Sequence, residues 1–417
     1  MTATAQVPAE PLRITPPAPE VPFSLFDNDR LRRAYASLGL GSHRPFYMVK
    51  RCLVAILVTW VPIAVLAWRQ GLVGTSVTPT NFLADFAAYA IFLVGLPLFL
   101  VAETIIDGST REAAEQLFRC GVIGRDDAPR IYRVHAQLRQ WRESWWPDAA
   151  CIAIAYLLSA AILVPQFGAE PLPTWHVQGD EHVRRLTAPA WWAFGIAIPL
   201  LDYIWLRLAW KTALWIYYLY HVSRVRLELH PTHPDLTGGI GFISEAQGRF
   251  AIFILAYGIS NVAAPVGYEI AVQNYDFSIM PVWAPVVGFI VGAPLLFTLP
   301  LFMFTKQLFR TKRRALAAYR ERVAEHSRAF ESRWLFADHP PPEHAEIPQL
   351  AEQANLAAMF ARIEHMRVVP FDLRSFGQLI GSTLGAMATL LPLLHSRGEM
   401  SEAFDAVSKL LEHLGSH

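Results

Sequence analysis

The sequence is poor in charge and in cysteine, and it lacks the short motifs that mark common enzyme sites. Only 17% of its 417 residues are Asp, Glu, Lys or Arg, whereas 53% are hydrophobic. Soluble proteins contain about 25% charged residues, so this composition argues against a water-soluble domain and for a membrane protein with several spans. The formal net charge is +1, and no domain-wide basic excess indicates nucleic-acid binding.

Cysteine usage excludes a disulfide framework and the usual zinc motifs. Cys52 and Cys151 lie in apolar runs and Cys120 in a polar loop, with no CxxC pair among them. We therefore expect reduced, structural cysteines. No HExxH, P-loop or nucleophile elbow occurs, so the sequence favours an enzyme less than other functions. The first stretch of about 45 residues is polar and rich in proline, which does not predict a cleaved signal peptide.

Long apolar runs predict an all-α, polytopic transmembrane helix bundle with helical cytoplasmic elements. Spanning a membrane needs about 20 apolar residues. Six runs meet this need, at about 52–68, 86–106, 149–165, 190–229, 250–272 and 285–305. A further apolar run at 376–394 is short for a span. It stays open between a seventh span, a re-entrant hairpin and a packing helix.

These runs divide the chain into six parts. They are a disordered, basic cytoplasmic N-terminal region (1–50), a transmembrane hairpin (51–106), a cytoplasmic helical loop (107–148), a transmembrane bundle with a cytoplasmic motif loop at 221–249 (149–305), a cytoplasmic helical region (306–368), and a C-terminal apolar segment followed by an amphipathic helix (369–417). Lys and Arg concentrate in 1–51, 107–148, 221–249 and 306–335. The positive-inside rule therefore predicts that these segments, and the N-terminus, are cytoplasmic.

Asp202, Arg207 and Lys211 are ionisable residues within the fourth apolar run. A carboxylate left in lipid costs several kcal/mol, so Asp202 should face a cavity or a partner. One hypothesis is an ion or proton path lined by Asp202, with Asn261 on the next span as its polar neighbour. The alternative is a buried pair for Asp202, with Arg207 and Lys211 extending to the lipid headgroups.

Three other acidic residues lie at span ends: Glu103, Asp107 and Glu269. Because water can reach the ends of a span, we expect these residues at the membrane interface.

Two helix starts are also predicted from capping boxes, Ser109-x-x-Glu112 and Ser244-x-x-Gln247.

The segment HPTHPDLTGGIGF, which follows the fourth apolar run, holds the densest set of potential ligands. His230, His233 and Asp235 could bind a divalent metal such as Zn, Fe or Mn. The structural alternative is favoured: the prolines end the helix and Asp235 caps a turn. Three glycines then permit a tight return toward the membrane, at Gly238, Gly239 and Gly241.

Three segments together resemble an uncharacterised family of bacterial multi-pass inner-membrane proteins. They are HPDLTGGIGF, LPLFLVAETIID before the first large loop, and VVPFDLR before the last apolar run. The resemblance covers most of the chain from about the first span onward. It implies a location in the bacterial inner membrane and no particular activity.

Three functions follow as hypotheses. The favoured one is a channel or transporter-like protein of unknown substrate, with a path beside the fourth and fifth spans. The others are a membrane-embedded metalloenzyme using His230, His233 and Asp235, and a scaffold whose basic helix at 306–335 docks a cytoplasmic partner. The lipid bilayer is the expected environment. A homo-oligomer and a cytoplasmic protein partner stay open, and no nucleic acid is expected.

Overall fold

The structure, a computed structural model, describes residues 45–74, 80–164, 174–178, 184–272, 280–334 and 347–397, with Ser24, Ser37 and Thr78. Seven helices within these residues are long and apolar enough to cross a membrane. We call them spans 1 to 7: Phe46–Arg69, Phe86–Arg119, Trp146–Leu163, Ala188–Val222, Gly241–Ala271, Met280–Ala329 and Leu373–Ser396. The predicted all-α transmembrane bundle is confirmed.

Three helices lie partly or wholly outside the apolar bundle. They are α1 (Ala128–Glu143), α2 (Thr305–Trp334) and α3 (Ile347–His365). The apolar part of span 6 (Met280–Thr298) passes through a 3₁₀ turn (Leu299–Phe304) directly into α2, and α3 packs along α2. We call this end of the bundle, which holds the basic segments, the inner end. At the outer end, β1 (Val177–Gln178) pairs with β2 (Arg185–Leu186) in an antiparallel hairpin.

The main core lies in the inner half and joins spans 2, 4, 5 and 6 to α1. Its largest fully buried side chains are Trp215, Tyr218, Phe99, Phe118, Phe250 and Phe304. Lipid is as apolar as these side chains, so close packing rather than water exclusion holds such spans together. A second core joins spans 2, 5, 6 and 7, and a third joins the outer ends of spans 1, 2 and 4.

Span 4 ends at Val222, seven residues or so earlier than the apolar run predicts. The residues that follow alternate: Val225, Leu227 and Leu229 are buried, whereas Arg226 and Glu228 are exposed. This period of two is typical of an extended strand. The segment pairs with the chain after span 2, where Glu228 N donates to Val122 O at 2.8 Å. The prediction of one helix over 190–229 is therefore wrong at its inner end.

Both predicted capping boxes are wrong. Ser109 lies within span 2, and its hydroxyl donates to Ile106 O. The helix that opens span 5 begins at Gly241, so Ser244 is already in its second turn. Ser244 Oγ instead accepts a hydrogen bond from Asp372 N at 3.1 Å, which ties span 5 to the start of span 7. A capping box and a buried tertiary contact use the same residue types, so the sequence alone did not separate them.

The segment that stayed open in the sequence crosses the bundle as span 7. Near the inner end, Ser375 packs against Gly248 of span 5, and near the outer end, Leu390 packs against Gly267. These contacts lie about 28 Å apart along span 5 at 1.5 Å per residue, close to the thickness of a hydrocarbon core. Leu394 then shares a core with Ile270 at the outer end. A re-entrant hairpin would return to the inner end and is therefore wrong.

Three spans contain a π-helical turn: Ala90–Gly95 in span 2, Ala193–Ala197 in span 4 and Gly258–Ala263 in span 5. Such turns are rare and occur frequently at functional sites. The turns of spans 2 and 5 lie against each other at Gly95 and Ser260. A Cβ added at Gly95 would overlap Ser260 Oγ, so glycine is required for this approach.

Candidate functional site

Asp202 lies well inside the bundle. The rings of Trp146, at the inner start of span 3, and Trp210 of span 4 are 5.2 Å apart, and Trp146 is exposed. Exposed tryptophans are typical of the membrane interface, so this pair marks the inner boundary. Asp202 lies eight residues outward from Trp210 on span 4, which places it about 12 Å deeper in the bundle.

The Asp202 carboxylate is only half satisfied. Trp205 Nε1 donates to Asp202 Oδ1 at 2.8 Å, one turn along the same helix. Asp202 Oδ2 is buried and has no hydrogen-bond partner among the residues that the structure describes. The sequence alternative of a buried ion pair for Asp202 is therefore not found in this part of the chain. A buried oxygen without a donor carries a desolvation cost that is not offset.

Asn261 lies at the same depth as Asp202. Spans 4 and 5 run in opposite directions, and the rings of Trp205 and Tyr257 meet with centroids 5.3 Å apart. Asp202 is three residues outward from Trp205, and Asn261 is four residues outward from Tyr257. Asn261 Nδ2 and the adjacent Ser260 Oγ are also buried without a partner in the described part of the chain. We call Asp202, Ser260 and Asn261 the polar layer.

Arg207 forms an ion pair across the bundle. Its Nη1 lies 3.5 Å from Glu103 Oε2 of span 2, and the two side chains are 3% and 6% exposed. Glu103 was expected at the interface, and Arg207 was expected to extend to the headgroups. Both expectations are wrong, because the two side chains are buried within the protein and reach neither water nor the headgroups.

Asp107 and Lys211 lie one helical turn inward from the Glu103–Arg207 ion pair. Spans 2 and 4 run in the same direction, and both residues lie four positions inward from Glu103 and Arg207. Both are buried within the protein, at 4% and 2% exposure, so neither side chain reaches water, although Lys211 adjoins Trp210 at the inner boundary. Ser24 Oγ donates to Asp107 Oδ1 at 2.9 Å. Glu103 and Asp107 are four residues apart, and so are Arg207 and Lys211. This equal spacing of acidic residues on span 2 and basic residues on span 4 is a sequence signal that could have indicated that the two sets face each other.

The outer end of the bundle is covered by aromatic residues that the sequence did not single out. The His176 ring is 5.4 Å from Phe194 of span 4 and 6.0 Å from Tyr268 of span 5. Burial lowers the pKa of His176 to about 3, so its ring is neutral at physiological pH. The neighbouring Trp175 donates its Nε1 to Asp85 Oδ2 at 2.8 Å. The polar layer therefore lies between an aromatic cover and an inner ion pair.

The loop from His230 to Gly241 is organised by Asp235. Its carboxylate accepts hydrogen bonds from Thr237 N at 2.9 Å, Gly239 N at 3.0 Å and Gly241 N at 2.9 Å. The His233 ring also approaches, with Nδ1 2.8 Å from Asp235 Oδ1. Burial alone would raise the pKa of Asp235, but the hydrogen bonds outweigh burial and lower the pKa to about 2.

The same loop binds the segment that precedes span 7. Leu236 has a φ of 57°, a left-handed conformation that is strained for leucine, and its C=O accepts from Arg367 N at 2.7 Å. Gly238 has a φ of +71° and packs against Met366. Lys312 Nζ of α2 donates to Met366 O at 2.7 Å. The loop from His230 to Gly241 therefore joins span 5, α2 and the start of span 7 at the inner end of the bundle.

The metal hypothesis finds no complete ligand set here. No group of three His, Cys, Asp or Glu side chains that could hold a metal occurs among the described residues. His230 and His233 are both exposed, whereas the Asp235 carboxylate points to the backbone amides of its own loop. This geometry supports the structural alternative, in which Asp235 shapes the turn.

The structure thus separates the candidate residues into two places. Asp202 and Asn261 share one depth between spans 4 and 5, with Arg207 and Lys211 nearer the inner end. The loop residues His230 and Asp235 lie beyond the inner end of span 4.

A scan of protein-family models, a search of curated proteins and a search of solved structures each found no match to this chain.

Proposed function

We propose that this integral membrane protein conducts or transports a small cation or protons, along a path between spans 2, 4 and 5. The observation that carries the proposal is the carboxylate of Asp202. It is buried about 12 Å from the inner boundary, and one oxygen has no partner among the described residues. Unpaired intramembrane carboxylates are costly and are found mostly where they serve ion or proton movement.

The surroundings of Asp202 support a path rather than an isolated defect. Ser260, Asn261 and Glu103 also present buried polar atoms without a described partner, and they lie on spans 2 and 5 beside span 4. Together these groups offer carboxylate, hydroxyl and amide contacts over about two helical turns. Oxygen ligands of this kind suit hard cations and proton transfer.

The π turns supply the backbone irregularity that such a path uses. In transporters, irregular helix segments occur where they line a cavity, because water or ions then satisfy the backbone. The turns at Ala90–Gly95 and Gly258–Ala263 meet beside the polar layer. The aromatic cover closes the outer end of the proposed path, and the Glu103–Arg207 pair closes its inner end.

Proteoliposome flux tests the proposal. Purified protein is reconstituted into liposomes, and imposed proton, Na⁺ and K⁺ gradients are followed in turn with an enclosed dye that responds to the cation in question. We expect flux of at least one cation with the natural protein, and loss of at least about tenfold in Asp202→Asn, which removes the charge but keeps the shape. Asp148→Asn is the matched control, because Asp148 contacts Tyr203 at the inner end of span 3, outside the proposed path.

Two results would overturn the proposal. One is the absence of flux for all three cations with correctly oriented natural protein. The other is unchanged flux in Asp202→Asn, provided that the variant elutes as the same monodisperse species. A loss shared by Asp148→Asn would assign the effect to general damage of the bundle.

We also propose that the membrane is the bacterial inner membrane and that the N-terminus is cytoplasmic. The distribution of Lys and Arg supports this orientation, since these residues concentrate in 1–51, 107–148, 221–249 and 306–335. The resemblance of the HPDLTGGIGF segment supports the bacterial location.

A further inference from the structure

The first turns of α2 carry an unusually one-sided charge. From Thr305 to Arg320 there is no Asp or Glu, and the stretch contains six cations: Lys306, Arg310, Lys312, Arg313, Arg314 and Arg320. Lys306 follows the apolar part of span 6 (Met280–Thr298) without an intervening loop, because the 3₁₀ turn Leu299–Phe304 leads directly into α2. The helix therefore places the first of these charges, from Lys306 to Arg314, within about 12 Å of each other along the axis, next to the end of the apolar segment.

Most of these cations point away from the protein. Lys312 is the exception, since its Nζ donates to Met366 O. Lys306, Arg310, Arg313 and Arg314 are exposed, and none of them makes a salt bridge or hydrogen bond to another described residue. An internal structural role does not explain this set of charges.

The cations continue a surface that already faces lipid. Leu295 and Leu299 of span 6 are 56% and 58% exposed, and Phe302 is 52% exposed. Phe309, between Lys306 and Arg310, is 54% exposed. An exposed phenylalanine among cations is typical of a helix whose ring enters the acyl region while its cations reach the headgroups.

We propose that Lys306, Phe309, Arg310, Arg313 and Arg314 form a binding site for anionic phospholipid headgroups at the inner end of span 6. The positive charge complements the lipid phosphate, and the site is continuous with the lipid-facing surface of Leu295, Leu299 and Phe302. The site anchors α2 to the membrane surface and thereby fixes Met366, which Lys312 and Gly238 contact. It does not depend on the proposed cation transport.

Native mass spectrometry of the full-length protein in neutral detergent tests the site, with phosphatidylglycerol and phosphatidylcholine as probes. We expect tighter binding of phosphatidylglycerol. Each cation near an anionic surface changes binding about fivefold, so Arg310→Gln/Arg313→Gln should bind phosphatidylglycerol roughly 25-fold more weakly. Added NaCl should weaken the binding of the natural protein, because salt screens exposed charges.

Two variants serve as controls. Arg322→Gln/Arg328→Gln removes the same charge from exposed positions further along α2, about 14 Å or more from Arg313, and should bind like the natural protein. Arg310→Lys/Arg313→Lys keeps the charge and should bind within about threefold.

Several outcomes would overturn the proposal. They are equal binding of the two lipids, unchanged binding in Arg310→Gln/Arg313→Gln, and an equal loss in the distal control. Displacement of the lipid by millimolar inorganic phosphate would indicate a free-phosphate site instead. Displacement by an acidic peptide of equal charge would indicate a protein-docking surface.

Discussion

Single residues show how far local sequence identifies a buried polar group. The sequence correctly picks out Asp202 and Arg207 as ionisable residues within an apolar helix, and both are buried. It does not identify Glu103 as the partner of Arg207, because that pairing depends on the relative depth and rotation of two spans. It also leaves the role of Asp235 open, since the same carboxylate could bind a metal or cap a turn.

Asp235 supports a stability prediction at the residue scale. Asp235→Asn removes charge-assisted hydrogen bonds to Thr237, Gly239 and Gly241, and should lower the free energy of unfolding by about 1.5–3 kcal/mol at pH 7. Thermal unfolding in detergent measures the change. Asp126→Asn, at an exposed position in the chain before α1, should leave stability unchanged.

The pH dependence of this difference has a definite sign. The folded pKa of Asp235, about 2, lies below the unfolded value of about 3.9. The carboxylate therefore stabilises the fold fully above about pH 4, and this stabilisation is lost as the pH falls through about 2. The difference between the natural protein and Asp235→Asn should shrink over that range. A difference that stayed constant down to pH 2 would show that the loop does not depend on the ionised carboxylate.

Whole elements depend on contacts that the sequence pattern does not contain. The apolar run 190–229 looks continuous, yet the chain leaves the helix at Val222 because Val225, Leu227 and Leu229 pack as an extended strand. The sequence shows the alternation of apolar and charged residues from Val225 to Leu229. Three apolar positions are too few to distinguish a short strand from the end of a helix. The π turns have no sequence signal of their own and follow from packing between spans.

The close approach of spans 2 and 5 yields a prediction at the element scale. Gly95→Ala places a methyl group on Ser260 Oγ and should destabilise the protein by about 1–3 kcal/mol, as overpacking does. Gly195→Ala, in the π turn of span 4, meets nothing within 4 Å and is the matched control. Thermal unfolding in detergent compares the two.

A second substitution separates overpacking from a change in helix propensity. Ser260→Ala in the Gly95→Ala background removes the overlapping oxygen, and the remaining Cβ contact is 3.1 Å. We expect it to recover most of the lost stability. Equal destabilisation by Gly95→Ala and Gly195→Ala would contradict the overpacking account.

The arrangement of the whole molecule follows from hydrophobicity and charge, except at span 7. Six spans and a basic inner end are predicted from the sequence, and the structure confirms seven helices that are long and apolar enough to cross. The seventh was undecided, because 376–394 is short and its length suits several arrangements. Its contacts with Gly248 and Gly267 at opposite ends of span 5 decide that it crosses.

Seven spans lead to a topology prediction for the whole chain. Reporters fused after Trp175 and after Arg397 should lie in the same compartment, and a reporter after Arg133 should lie in the opposite one. Compartment-specific activity of each fusion is the measurement. Arg133 and Trp175 in one compartment would contradict the transmembrane bundle, whereas Arg397 on the side of Arg133 would contradict the crossing of span 7.

The sequence by itself determined that the chain is a helical membrane protein and where its basic segments lie. Transfer of side chains into lipid is nearly additive along a helix, so composition within a window of about 20 residues is sufficient. Only the tertiary structure decided that Glu103 pairs with Arg207, that Gly95 meets Ser260, and that span 7 crosses. Those facts depend on how helices are rotated and shifted against one another, and packing between residues distant in sequence sets that register.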